Sequence, residues 1–351
     1  MVEMKVDINL VKKRIVKIFE KKSEVKIVAH GDWDGVVGAG LLKAWIKDNL
    51  KLNTIIIFPF KELSRMVLDN VITIETSNFA QNTTNSIIID HHIQRKKIDP
   101  SNLTIIDNKT YDKSSVATLI ADFFKIKFNR EFLKAVDDID NGKINLIKYI
   151  IENLSNNFSD VNKKIIEVLH SAPVVFKLYA AFRADVLGFP RLKIAEWISG
   201  KNYKALQEWA SNKCINFKDI MLNIREILEN NIIKIPGLDA ILLSSSEMEI
   251  DSYKAQALKP AALYLQDIYK IAIIVYLNKK GEVFKGSIGT LDSILNFENA
   301  GVYKALEKVP EIKSAGGRAM IGGFQMKEGK SIPLEFLLKI FKDILKNLFS
   351  K

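Results

Sequence analysis

Three of the four histidines in this 351-residue sequence stand beside aspartates, in two short groups. The first group reads HGDWDG over residues 30–35, and the second reads DHH over residues 90–92. Imidazole and carboxylate groups together are ligands for Mn²⁺, Mg²⁺, Fe²⁺, Co²⁺ or Zn²⁺. Alternate side chains of an extended loop point to one side, so His30, Asp32 and Asp34 are expected to face a common space. The two groups offer six candidate ligands, which predicts a two-metal site of the kind that supports in-line attack on a phosphate.

Each group follows a short apolar segment that is typical of a buried strand. The candidate strands are residues 25–29, 54–58, 71–75, 86–90 and 103–107. Helical periodicity surrounds them, for example over residues 4–22 and 36–50. This alternation predicts an α/β fold with a mostly parallel sheet flanked by helices. Loops at the carboxyl ends of parallel strands share one edge of the sheet, so we expect the two groups to meet there.

The second half of the chain has a different pattern. Residues 115–209 are helical in periodicity, residues 218–231 predict a connecting helix, and the pattern changes at the Pro-Gly pair of residues 236–237. After it the sequence predicts strands at 240–244, 271–277 and 283–288, and helices at 259–266 and 333–349. We therefore expect an N-terminal domain over residues 1–215, a linker helix over 216–235 and a smaller α/β domain over 236–351.

Composition narrows the class of protein. The 52 Lys and Arg residues exceed the 41 Asp and Glu residues, giving a net charge of +11. This excess favours a polyanionic partner such as nucleic acid, although a Lys- and Ile-rich proteome explains it equally well. The lone cysteine, Cys214, excludes a disulfide framework and a thiolate zinc cluster. No apolar run approaches about 18 residues, and the N-terminus does not read as a signal peptide, so we expect a soluble cytoplasmic protein that does not contact membranes.

The two histidine groups resemble the signature motifs of the DHH phosphoesterases. HGDWDG resembles their first motif, His-x-Asp-x-Asp-Gly, and DHH is the motif that gives the family its name. The segment SAGGRAMIGGF, residues 314–324, resembles the signature of the DHHA1 domain. The chain is similar to archaeal RecJ-like nucleases over nearly its whole length. The resemblance implies a DHH domain in residues 1–215 and a DHHA1-like substrate-binding domain in residues 236–351.

The resemblance also implies two Mn²⁺ ions per chain, with Mg²⁺ or Co²⁺ as substitutes. His30 and Asp32 would bind one ion and Asp34 the second, and His91 would be the metal-binding histidine of the DHH motif. The family has a bridging aspartate after the third strand, whereas this chain has Glu75 there. The extra methylene of glutamate moves the carboxylate by about 1.5 Å.

Further roles follow from the same resemblance. Asp140, which precedes Asn-Gly, is expected to bind the second ion, with Asp137 as the alternative. Asp69 is the nearest aspartate to the bridging position but precedes the strand. Asp90 would orient the histidines, and His92 would assist at the scissile phosphate, so that the catalytic residues are His92, Asp90 and Asp34.

The resemblance to DHHA1 domains implies that the glycine-rich segment is a loop that binds substrate, because its backbone amides can approach a phosphate closely. Arg318 stands where DHHA1 domains usually have histidine, and its guanidinium can hold a phosphate in bidentate fashion. Trp33 is expected either to stack on a base or to pack over its own loop. The candidate substrate-binding residues are Gly316, Gly317, Arg318, Gly322, Gly323 and Trp33.

The function implied is that of a manganese-dependent, single-strand-specific exonuclease, acting on DNA in the 5′-to-3′ direction in DNA repair or replication. One alternative is a nanoRNase or cyclic-dinucleotide phosphodiesterase. A second is a weakly catalytic scaffold like the Cdc45 relatives, which Glu75 and Arg318 favour and the intact histidine groups oppose. Expected partners are single-stranded nucleic acid and, from the resemblance, a repair helicase or the GINS and MCM replication proteins.

Overall fold

The structure is a computed structural model, and it separates into two compact units. It describes residues 7–59, 62–77, 80–91, 97–106, 114–154, 161–186, 188–230, 232–246, 253–290, 292, 295–317 and 320–349. Residues 1–141 and 189–209 form the first unit, and residues 142–188 and 210–351 form the second. Both units are therefore discontinuous in sequence. The functional domain limits near residues 215 and 235 stay a prediction.

The elements follow one another in a mixed order. The helices are α1 (Ile8–Lys22), α2 (Trp33–Leu50), α3 (Val116–Phe123), α4 (Arg130–Asp140), α5 (Leu146–Asn153), α6 (Val161–Ser171), α7 (Val174–Ala184), α8 (Arg191–Ser199), α9 (Tyr203–Lys213), α10 (Phe217–Asn230), α11 (Tyr253–Leu265), α12 (Val302–Glu307) and α13 (Leu334–Phe349). The strands are β1 (Val25–Ala29), β2 (Thr54–Ile57), β3 (Val67–Asp69), β4 (Ile72–Ile74), β5 (Asn82–Thr84), β6 (Ile87–Asp90), β7 (Leu103–Ile106), β8 (Ile232–Lys234), β9 (Ala240–Ser246), β10 (Ile271–Leu277), β11 (Glu282–Gly289), β12 (Ile312–Gly317), β13 (Ile321–Met326) and β14 (Ile332–Pro333). None of the helices within the described ranges is long and apolar enough to cross a membrane.

The first unit is built on the predicted parallel sheet. Its strands lie in the order β2-β1-β4-β6-β7, and every neighbouring pair is parallel. The central strands are almost continuously apolar and buried, as expected for a sheet covered on both faces. The α/β prediction is therefore confirmed, and the predicted strands agree with the observed ones to within a residue at each end.

Helix α2 lies against this sheet and is buried along most of its length, because it is apolar on nearly every face. It begins three residues earlier than predicted, at Trp33. A β-carbon at Gly40 would lie 2.8 Å from the carbonyl oxygen of Ala195, so the glycine lets α8 pack closely on α2. The first unit thus includes α8, a helix that follows α2 by about 150 positions in sequence.

The second unit contains a larger mixed sheet in the order β12-β13-β11-β10-β9-β8, with β14 paired to β11. Strands β9 and β10 are parallel and α11 connects them, whereas the other pairs are antiparallel. Strands β10 and β11 form an antiparallel hairpin, and Gly281 in its turn has a left-handed φ of 77°. Phe297, Leu306 and Phe341 are among the fully buried residues of its core.

Candidate metal centre

Three neighbouring strands of the parallel sheet carry their following residues to one edge. Strands β1, β4 and β6 are in register, so that Ala29 pairs with Ile74 and Ile74 with Ile89. The ladder continues past the strands, since the N–H of His30 donates to Ile74 at 3.0 Å and that of Glu75 donates to Ile89 at 3.1 Å. The side chains that follow these strands therefore start at the same level of the sheet.

The first histidine group turns directly into a helix. Asp32 is the N-cap of α2, and its Oδ1 accepts a hydrogen bond from the N–H of Gly35 at 3.1 Å. Asp34 lies in the first helical turn. The expectation of an extended loop over residues 30–34 is therefore wrong, because the helix begins between Asp32 and Asp34. An N-cap aspartate satisfies a free N–H of the helix start, which an extended loop would not provide.

Gly35 is required by this turn. A β-carbon there would lie 2.3 Å from the carbonyl oxygen of His30. The start of α2 thus packs against the backbone of His30, the residue that directly follows β1. The glycine of the first motif has a steric role in bringing the helix start to the sheet edge.

The side chains meet in two groups that share Glu75. His30, Asp32 and Glu75 form one group, and Asp34, Glu75 and His91 form the other. In each group, one candidate ligand atom per residue lies within 4.8 Å of the others. His30 Nδ1 lies 2.7 Å from Asp32 Oδ2. Glu75 therefore occupies the position between two potential ion sites.

His91 is the centre of the second group. Its Nε2 lies 2.9 Å from Glu75 Oε1, 3.5 Å from Asp34 Oδ2 and 3.8 Å from Asp140 Oδ2. Its Nδ1 is 2.9 Å from the carbonyl oxygen of Ser114. Because a carbonyl can only accept, Nδ1 carries the proton and Nε2 faces the carboxylates.

The geometry separates Asp140 and Asp137, the two candidate aspartate ligands of the second ion. Asp140 faces His91, as described above. Asp137 is turned to α3, where its Oδ1 accepts from the N–H and hydroxyl of Ser115 at 2.8 and 2.6 Å and from the hydroxyl of Thr118 at 2.8 Å. Asp140 therefore lies with the ligand groups and Asp137 does not.

Negative charge is concentrated in this centre. Asp34 and Glu75 are 1% and 2% exposed. Burial raises the pKa of Asp34 well above its usual value, and Asp140 and Asp32 raise it further. Burial likewise raises the pKa of Glu75, with added repulsion from Asp34 and Asp32. Several carboxylates that oppose each other's ionisation in one buried place are electrostatically costly unless cations accompany them.

The exposed part of the centre has the opposite balance. The carboxylate of Asp32 raises the pKa of His30 to about 9, against the effect of its burial. The side chains of His30 and Asp32 are 46% and 36% exposed, in contrast to the other group. The centre is thus open on the side of His30 and closed on the side of His91.

The residues present fit divalent ions. Oxygen and imidazole ligands are the donors that Mn²⁺, Mg²⁺ and Co²⁺ accept, and two groups with a shared carboxylate match a two-ion centre. The repulsion that raises the pKa values of Asp34 and Glu75 is what bound cations would relieve. Glutamate in place of aspartate does not prevent the shared position.

Two of the predicted catalytic residues have different outcomes. Asp90 ends β6 and is completely buried. His92 lies outside the described residues, as does Arg318. Their assigned roles stay predictions.

Trp33 does not present its ring for base stacking. It is 1% exposed, and its ring contacts those of Phe189 at 4.9 Å and Trp209 at 6.0 Å. The same region is tied to the first histidine group by Arg191, whose Nε donates to the carbonyl oxygen of Gly31 at 2.7 Å. The stacking role is therefore wrong, and the packed alternative describes the molecule.

The four glycines of residues 316–323 lie in strands and not in a loop. Gly316 pairs with Gly323 and Gly317 with Gly322, across the antiparallel strands β12 and β13. A β-carbon at Gly322 would lie 2.4 Å from the ring of Tyr303, so packing alone requires that glycine. The expectation of a glycine-rich loop is wrong, and the substrate role of these residues stays a prediction.

Comparisons with known proteins agree with this architecture. No protein-family model matches the sequence, and no curated protein matches it significantly. A crystal structure of the exonuclease RecJ bound to manganese matches with a TM-score of 0.51 at 15% identity, covering 97% of this chain and 94% of that chain. The chain therefore shares the fold of this RecJ structure.

Two other matching structures have slightly lower TM-scores. The pGpG-specific phosphodiesterase PggH from Vibrio cholerae has a TM-score of 0.49 at 16% identity, covering 93% of this chain and 99% of that chain. CDC45 from Entamoeba histolytica has a TM-score of 0.49 at 12% identity, covering 97% and 98%. The RecJ match confirms the fold expected from the two histidine motifs.

Sequence reasoning missed a set of residues that hold the ligands. The N–H groups of Val116 and Ala117 donate to the two oxygens of Asp34 at 2.9 and 2.8 Å. Ser115, the N-cap of α3, precedes them. The signal was present, because a serine before an apolar helical run marks a helix start, and such a start binds carboxylates.

Proposed function

We propose that the protein is a metal-dependent phosphodiesterase that removes nucleotides from an end of single-stranded nucleic acid, with DNA and the 5′ end favoured. The observation that carries this proposal is the pair of ligand groups that share the buried Glu75. The fold supports it, because RecJ, which has the same fold, is an exonuclease bound to manganese. The net charge of +11 is consistent with a polyanionic substrate.

The ions proposed are two Mn²⁺, with Mg²⁺ or Co²⁺ as substitutes. His30, Asp32 and Glu75 would hold one ion. Asp34, Glu75, His91 and Asp140 would hold the other. When bound, such a pair supplies the Lewis acidity that stabilises developing charge during in-line displacement at phosphorus.

The protein side chains contribute orientation and access. Asp34 is held by two backbone N–H groups and His91 by one carbonyl oxygen, so neither has to reorganise when substrate arrives. The exposed His30 and Asp32 mark the side from which a phosphate would approach. We assign His92 to stabilising the scissile phosphate and Asp90 to orienting the histidines.

Binding of the rest of the strand is assigned to the glycine hairpin of the second unit. Arg318, between the two glycine pairs, would hold a backbone phosphate through paired N–H donors. Gly316, Gly317, Gly322 and Gly323 would let the backbone approach the same phosphate closely.

The test is degradation of a labelled 30-nucleotide single strand in the presence of Mn²⁺. We expect progressive shortening from the 5′ end by the unaltered protein, and a decrease of at least about 100-fold in Asp34→Asn. Asp138→Asn is the matched control, because it removes the same charge from a carboxylate that pairs with Lys134 on the surface of α4. An intact strand, or equal rates for all three proteins, would overturn the proposal.

Two further substrates and one measurement distinguish the alternatives. Turnover of a dinucleotide or a cyclic dinucleotide without attack on the 30-mer would indicate a short-oligonucleotide phosphodiesterase. Absence of divalent ions from the purified protein by mass spectrometry, together with inactivity on every substrate, would indicate a scaffold.

A further inference from the structure

A short segment at the start of α3 contacts two of the three buried members of the second ligand group, His91 and Asp34. The carbonyl oxygen of Ser114 accepts from His91 Nδ1 at 2.9 Å. Two and three residues later, the N–H groups of Val116 and Ala117 bind the two oxygens of Asp34. The position of residues 114–117 therefore sets the orientation of one imidazole and one carboxylate at the same time.

The same segment is fastened from α4 by one carboxylate. Asp137 Oδ1 accepts three hydrogen bonds from Ser115 and Thr118, at 2.6 to 2.8 Å. Asp140 follows three residues later, so it lies near the same face of the helix. Helix α4 thus supplies one candidate ligand directly and fastens the segment that orients two others.

We propose that Asp137 is a positioning residue for the second ion site, acting through residues 114–118 on Asp34 and His91. This inference rests on the proposed function, because it concerns the same metal centre. Outer partners of metal ligands fix ligand orientation, and their loss typically weakens metal affinity about 10- to 100-fold. Asp137 fastens the segment that orients Asp34 and His91, whereas Asp32 is held at the start of α2 by the N–H of Gly35, so the second ion site should respond more strongly than the first.

The experiment titrates the metal-free full-length protein with Mn²⁺ by calorimetry, and follows coupling between the two ions by electron paramagnetic resonance. Asp137→Ala is compared with Asp138→Ala, its neighbour on α4, which faces Lys134. We expect Asp138→Ala to bind two ions as the unaltered protein does. We expect Asp137→Ala to keep the first ion and to bind the second about 10- to 100-fold more weakly, with the coupled signal reduced.

Conservative variants separate positioning from general structural damage. Asp137→Asn keeps an acceptor oxygen for Ser115, so it should recover part of the second affinity. If Asp137→Ala does not fold, Thr118→Val takes its place. It removes one of the three hydrogen bonds to Asp137 at nearly constant volume, and should weaken binding of the second ion several-fold. A lower melting temperature with an unchanged ratio of the two affinities would overturn the proposal.

A failure of the proposed function would give a different pattern. If the unaltered protein binds fewer than two ions, the proposed metal pair is wrong. The positioning of His91 is then tested alone by nitrogen-15 spectra of its ring. We expect a single Nδ1-protonated tautomer in the unaltered protein and mixed tautomers in Asp137→Ala, and identical spectra would overturn the inference.

Discussion

Two acidic residues flank strand β4, and their surroundings are opposite. Asp69 precedes the strand, and its carboxylate accepts from the side chains of Asn85, Thr84 and Asn70 at 3.0, 3.0 and 2.6 Å. These hydrogen bonds, with that of Asn85 first, hold its pKa below the usual value. Glu75 follows the strand, and burial beside other carboxylates raises its pKa.

The difference distinguishes a carboxylate that stabilises the fold from one that destabilises it. Neutral donors surround Asp69, so its charge is accommodated by the protein itself. Glu75 is placed where the chain offers it further negative charge, and its backbone has a left-handed φ of 57°, which costs a residue with a β-carbon about 1 kcal/mol. Burial with repulsion and backbone strain in one residue is the pattern of a binding or catalytic site.

The sharpest contrast is expected in activity. Glu75→Gln keeps the shape of the side chain but removes the shared negative ligand, so hydrolysis of a labelled single strand should fall by at least about 100-fold. Asp69→Asn should retain the rate within about twofold. Equal losses in both variants would remove the functional distinction between the two ends of β4.

Glu75→Asp tests the length of the shared ligand. Aspartate is the residue that the resemblance implies at this position, whereas the carboxylate observed here is carried by the longer glutamate side chain. Shortening it withdraws the carboxylate by about 1.5 Å from His91, which is 2.9 Å from it now. We expect a rate decrease of about tenfold and weaker Mn²⁺ activation in steady-state kinetics. A faster enzyme would show that glutamate limits this chain.

Stability should change in opposite directions. In the metal-free protein Glu75→Gln relieves a buried repulsion, so its melting temperature should rise by about 2–4 °C. Asp69→Asn should lower it by a similar or smaller amount. Addition of Mn²⁺ should raise the melting temperature of the unaltered protein more than that of Glu75→Gln, because ions stabilise the state that binds them. A lower melting temperature for metal-free Glu75→Gln contradicts this comparison.

The smallest effect concerns pH. The pKa of Asp69 is lowered in the folded state, so its carboxylate stabilises the fold above the unfolded value near 3.8, and this contribution is lost as the pH falls through the folded value. Denaturant unfolding should therefore separate Asp69→Asn from the unaltered protein by at most about 1 kcal/mol at pH 7. The two curves should converge below about pH 3, and a gap that persists there would assign the difference to packing.

The meeting of the two histidine groups could be predicted, because short apolar strands alternate with helices and residues after parallel strands share an edge. The place of Glu75 beside them was implied by the family resemblance. The start of α2 was missed although Asp32 has the composition of an N-cap. The orientation of Asp34 toward α3 depends on residues 82 and 83 positions away, which no local periodicity shows.

Aromatic and glycine residues were harder to interpret. Trp33 stands between two candidate ligands, and nothing nearby in sequence indicates that Phe189 and Trp209 cover it. The glycines near residue 316 were read as a loop because glycine permits turns, but close strand pairing and the ring of Tyr303 require it equally. Residue type alone does not separate a flexible backbone from a crowded one.

The hydrogen bond from Arg191 to Gly31 joins positions 160 residues apart, and it affects how the chain folds during its synthesis. The HGDWDG segment leaves the ribosome long before Phe189, Arg191 and Trp209 are synthesised. Until they arrive the Trp33 ring lacks its cover, and closing so long a loop slows folding. We therefore expect the candidate metal centre to be among the last parts of its unit to be completed.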